Sequence, residues 1–189
     1  MPRPPVLPVL DWKAIFESAR SFDAWLEIAE HPEHAEKMKA ALERQTLDPV
    51  TAGALRAIDR PVHVIAFAED WCPEVVRHVP VLEVMARESD HIHVRYLTRD
   101  EHPDAFVRFL TNGGEAVPKF VFLSDQFVEC GNWGPMADGG RELISRGKAC
   151  GDVKAAREKV TALYSADKDR QLAVRELLGR FVIASCTAP

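Results

Sequence analysis

The chain has no Cys-x-x-Cys pair: its four cysteines, Cys72, Cys130, Cys150 and Cys186, are widely spaced. That spacing excludes a zinc ribbon or finger. Four cysteines among 189 residues do not make a disulfide framework either, so in a reducing compartment each thiol needs its own explanation. Long apolar runs are missing too, and nothing approaches the roughly 18–20 uncharged apolar residues of a membrane span. Residues 1–10 are proline-rich with one basic residue, Arg3, and lack the apolar stretch of a secretory signal. There is no excess of positive charge. With 24 basic against 29 acidic residues and a net charge of −5, neither nucleic acid nor an anionic membrane is expected as partner. A soluble, cytoplasmic protein with an ordinary apolar core is expected, needing no cofactor and no metal.

The patterning that is present changes character once. Residues 1–60 carry helix signals and no strand signals. Trp12, Ile15 and Phe16 share a helical face, and Ser21 is placed to cap a helix with Phe22, Trp25, Leu26 and Ile28. Pro32 restarts a helix through Leu42, and Asp48-Pro49 reads as a cap plus first-turn proline. From residue 61 the order becomes strand (62–68), helix (73–88), strand (92–97), helix (103–110), strand (119–123), strand (126–131) and helix (135–145). The two last strands are joined by Ser124-Asp125. Two further helices, 152–164 and 167–185, close the chain. The pattern predicts an α/β protein with a mixed sheet flanked by helices. Its expected parts are an N-terminal helical extension (1–60), a core (61–147) and a C-terminal helical extension (148–189), packed as one unit.

Glu69-Asp70-Trp71-Cys72-Pro73-Glu74-Val75 lies where the first buried strand gives way to a helix. Open α/β sheets place their sites at such carboxyl ends. A cysteine there meets unpaired N–H groups and the positive end of the helix dipole, which favour thiolate. Pro73 suits the first helical position, where its missing N–H costs nothing. Glu69, Asp70 and Glu74 oppose the effect, and Arg77 and His78 offset them in part. A moderately activated thiol is the expectation. His91 and His93 alternate on a strand but lack a third ligand, and His31 and His34 read as solvated.

The run from Ala68 to Cys72, with Pro80 eight residues after the cysteine, resembles the active-site helix of thioredoxin. Ala116-Val117-Pro118, 46 residues beyond Cys72, is similar to the stretch carrying that family's cis-proline, and Gly131 matches its strand-closing glycine. The resemblance covers residues 62–145. It implies a thioredoxin-like sheet with extra terminal helices, Cys72 as catalytic residue, and substrate contacts from Trp71, Pro73, Val117, Pro118, Gly131 and Trp133. Two positions depart from the family: its second active-site cysteine falls on Val75, and its buried acid falls on Ala66. Both losses remove the same half-reaction, attack of a second thiol on the mixed disulfide. The resemblance therefore implies a monothiol oxidoreductase taking a protein disulfide or a glutathione mixed disulfide. A redox-inactive binding module and a thiol sensor stand beside it. Cys130 reads either as a core residue facing away from Cys72, which is the expectation, or as a replacement second thiol.

Overall fold

Val-His-Val-Ile-Ala-Phe, six residues without polar alternation apart from His63, is suited to a strand covered on both faces. In the computed structural model, which describes residues 6–186, this is β1 (Val62–Phe67), buried at every position but His63. The proline-rich residues 1–5 lie outside the described chain. β2 (Ile92–Leu97) pairs parallel with β1, from Val62 opposite Ile92 to Phe67 opposite Leu97. β3 (Lys119–Leu123) pairs antiparallel on the other side, and β4 (Glu129–Trp133) pairs antiparallel with β3. The sheet order is β2-β1-β3-β4. A parallel pair requires a crossover, which is made by α5 (Pro73–Ala86) with Pro80 inside it.

The first 60 residues hold four helices and no strand among those described: α1 (Trp12–Ser18), α2 (Phe22–Glu27), α3 (Pro32–Arg44) and α4 (Pro49–Arg56). Asp11, Ser21 and Asp48 cap three of them through their side chains. Trp25 stacks on Tyr96 at 5.1 Å, Phe16 meets His63 edge-on at 4.9 Å and Trp12 lies 6.0 Å from Phe109. Trp12, Phe16, Trp25, Tyr96 and Phe109 are buried, each contributing about 1.5–3 kcal/mol of apolar burial. Ile28 instead follows α2 as its C-cap and is exposed. Arg20 exchanges two main-chain hydrogen bonds with Tyr96 (3.0 and 2.8 Å), covering the outer edge of β2 at that point.

The hairpin differs from expectation. β4 begins at Glu129 rather than residue 126, because Ser124 to Val128 form a wider turn than a two-residue loop. Ser124 Oγ accepts from the N–H groups of Gln126 and Val128 (both 3.2 Å), and Phe127 adopts φ +57°. That left-handed residue swings its ring onto His63, with centroids 4.1 Å apart. Packing of Phe127 thus outweighs the tighter turn, and a bulge at Phe122/Leu123 absorbs the change.

After β2 come α6 (Pro103–Phe106) and a 3-10 turn (Val107–Phe109). Beyond β4 lie α7 (Asp138–Ala149), α8 (Val153–Ala166) and α9 (Gln171–Cys186). Val174, Leu177 and Phe181 of α9 are fully buried, and Phe181 packs edge-on against Phe122 at 5.1 Å. The apolar core runs unbroken from Trp12 through the sheet to α9. The α7–α8 pair is held close because Gly147 lets the backbones meet: a Cβ there would lie 2.4 Å from Ala156 Cβ. No helix of the described residues is long and apolar enough to cross a membrane.

Candidate active site

Phe67 ends β1, and the chain reaches Cys72 through a turn closed by the Cys72 N–H on Glu69 O (3.0 Å). Cys72 is the N-cap of α5, with Pro73 at the first helical position. Its thiol makes no cap bond and forms no disulfide; it donates to the main-chain oxygen of Val117 at 3.3 Å. The Val117–Pro118 peptide is cis and brings that oxygen against the sulfur from β3's leading end.

Cys72 is 9% exposed, on the wall of a cleft of about 450 Å3. Trp71, Glu74 and Val117 line the same side; Arg141, Ile144 and Lys148 of α7 and Arg157 of α8 line the other. Trp71 is 43% exposed, with the Arg99 guanidinium 5.7 Å from its ring. At the thiol itself burial runs against the expected activation. Burial pushes the Cys72 thiol above its ordinary range; the N–H groups of Val75 and Glu74 act against this, and the charges of Glu74 and Glu69 reinforce it.

The flanking acids have other partners. Glu69 accepts from Arg99 N (3.1 Å), and burial pushes its carboxyl up. Asp70 is buried and accepts from the His31 N–H (2.6 Å), while His34 Nδ1 lies 2.8 Å from the Asp70 carbonyl oxygen. His31 and His34 are therefore not merely solvated: they fasten the start of α3 to the cysteine loop. Glu74 accepts from Tyr164 Oη (2.6 Å) and faces His78 Nε2 (3.1 Å), whose ring meets Trp133 edge-on at 5.0 Å. Burial pushes the His78 pKa down, and the Glu74 carboxylate acts against this.

Among the other predicted residues, Pro73 lines an adjoining hollow rather than the cleft, and Pro118 directly follows Val117. Trp133 is buried behind the site, stacked on Phe120 at 5.3 Å with its N–H on Glu176 (2.6 Å). Gly131 does not border the cleft. It pairs with Phe122 in mid-strand, and a Cβ there would face Arg180 of α9. The three-residue displacement of β4 moves the strand-closing role to Gly134, at φ +117°. A Cβ on Gly134 would lie 2.1 Å from Pro118 O, and Lys119 Nζ donates to Gly134 O at 2.7 Å. Burial, with Arg141 adding to it, pushes Lys119 down to about 8.

Val75 and Ala66 are fully buried aliphatic residues, and their side chains carry neither a second thiol nor an acid. Cys130 sits at the bulge between the partners of Phe122 and Leu123; Leu123 pairs with His63, at the opposite end of β1 from Cys72. Three or four residues of strand, roughly 10–13 Å, separate the two levels, well beyond the roughly 7 Å Cα separation a disulfide allows. Sequence reasoning missed Gly134, Lys119, Tyr164 and Glu176. Gly134-Pro135 was the available signal for the first; nothing near Cys72 in the sequence points to Tyr164.

A cysteine at a helix N-cap, beside the carbonyl before a cis-proline and at the carboxyl end of the central strand, defines a thioredoxin-like site. The family model described as thioredoxin matches residues 19–156, and the chain belongs to that family. A protein of unknown function from Pseudomonas aeruginosa, PA1234, superposes with a TM-score of 0.71 at 15% identity, over 92% of this chain and 98% of that one. An HIV epitope-scaffold superposes at 0.60 with 17% identity, over 83% and 99%. Both share the fold. No curated protein matches the sequence.

Proposed function

We propose that this protein is a monothiol thiol–disulfide oxidoreductase of a reducing, cytoplasmic setting, acting through Cys72 on a glutathione mixed disulfide or a protein disulfide. The observation that carries the reading is the Cys72 sulfur, 3.3 Å from the Val117 oxygen on the wall of an open cleft, with Val75 where a second thiol would stand. The Cys72 thiolate attacks one sulfur of the disulfide; the S–S bond breaks and the departing sulfur leaves as thiolate. An external thiol then attacks the mixed disulfide and restores Cys72. Val117 aligns the substrate backbone, and Trp71 covers one side. A second reading is favoured by the burial that raises the thiol: a redox-inactive module that uses the cleft to hold a partner.

Reduction of a glutathionylated peptide by glutathione separates the two. The wild-type protein is expected to accelerate it, and Cys72→Ser to return the rate to the uncatalysed background. Equal rates with either protein leave only the binding module.

A further inference from the structure

Among the described residues, one group of three metal-ligating side chains lies outside the cleft: His31, Glu33 and His34 at the start of α3. One ligand atom from each falls within 4.8 Å of the others, and His31 Nδ1 is 3.6 Å from Glu33 Oε1. Two ligands at about 2.0–2.1 Å from one tetrahedral ion are roughly 3.3 Å apart. The three ligand atoms thus stand at most about 1.5 Å per pair wider than one tetrahedral ion requires.

The second observation is the shell behind the ligands. His34 Nδ1 lies 2.8 Å from the Asp70 carbonyl oxygen. A carbonyl can only accept, so Nδ1 carries a proton, which in the neutral ring leaves the lone pair on Nε2. Metal-bound histidines are oriented in the same way, their second nitrogen donating to a carbonyl or carboxylate. The His31 main chain is fixed by its N–H on the Asp70 carboxylate, and Asp70 itself is buried. A cation at a helix N-terminus opposes the dipole. The carboxylates of Glu33 and Asp70 supply two nearby negative charges against it. The Glu33 side is exposed, leaving room for water as a remaining ligand.

We propose that His31, Glu33 and His34 bind one divalent transition-metal ion of the zinc class, with water completing the coordination. Two imidazoles and a carboxylate suit zinc or cobalt rather than the oxygen-only shells of calcium and magnesium. The bound ion clamps α3 to the loop that ends at Cys72.

Cobalt(II) titration tests this, using the full chain with Cys72→Ser and the other thiols alkylated so that sulfur ligands do not compete. The expected result is a visible absorption band of four-coordinate cobalt that saturates at one ion per chain and is displaced by zinc. Glu33→Gln alters an exposed side chain, and it is expected to weaken binding by at least roughly tenfold. His34→Ala, checked by circular dichroism for retained fold, is expected to abolish the band. No band, or an affinity unchanged in Glu33→Gln, overturns the proposal.

Discussion

Gly134→Ala is expected to cost about 3 kcal/mol or more, from left-handed backbone strain and a backbone collision acting together. Its Cβ would enter to 2.1 Å from the Pro118 carbonyl oxygen and 3.1 Å from the carbonyl carbon, at φ +117°. Neither partner is a flexible side chain. The adjoining Val117 oxygen, which accepts from the Cys72 thiol, would move with any relaxation. In a chain of this length the loss corresponds to roughly 6–12 °C in melting temperature. Urea unfolding should show a lower midpoint with an unchanged slope. Gly179→Ala is the control: it lies inside α9 with nothing within 4 Å of the added methyl, and is expected to be neutral or stabilising by about 0.5–1 kcal/mol. A Gly134→Ala protein as stable as the wild type would show that the approach of Gly134 to Pro118 is not a requirement of the fold.

The second large effect is on reactivity. Alkylation by iodoacetamide proceeds through thiolate, so below the thiol's pKa its rate rises roughly tenfold per pH unit. Burial raises the Cys72 thiol above its ordinary range, and Glu74 and Glu69 push the same way. The rate at Cys72, followed on its own peptide by mass spectrometry, is therefore expected to climb roughly a hundredfold from pH 6.5 to 8.5 and still be rising at pH 9. A plateau between pH 6 and 8 would mean that the α5 N-terminus outweighs burial. The same shift has a consequence for stability. A raised thiol favours the folded state less as pH climbs through the unfolded thiol's pKa, because the unfolded chain ionises first.

Much of this was legible in the chain. The uninterrupted apolar run at Val62 marked a strand covered on both faces, and helix caps at Ser21 and Asp48 marked α2 and α4, because both signals are local. The placement of Cys72 at a strand–helix junction was legible for the same reason: a strand end, a cysteine and a proline in succession. What escaped depends on distance. The register of β4 was set by the Phe127 ring finding His63 across the sheet, which moved the glycine of the site from Gly131 to Gly134. The thiol's rise comes from burial in a fold that brings Val117, 45 residues further on, against the sulfur. His31 and His34 looked solvated because their partner, Asp70, lies 36–39 residues further on.

Exposure of the reduced protein to oxidised glutathione, followed by intact-mass and peptide mapping, distinguishes a reactive Cys72 from an inert one. One glutathionyl group is expected on Cys72, released by added glutathione and absent from Cys72→Ser, with Cys150 and Cys186 modified independently on the surface. An unmodified Cys72 under conditions that label the exposed thiols would contradict it. So would an intramolecular Cys72–Cys130 crosslink, which would replace the monothiol by a dithiol pair.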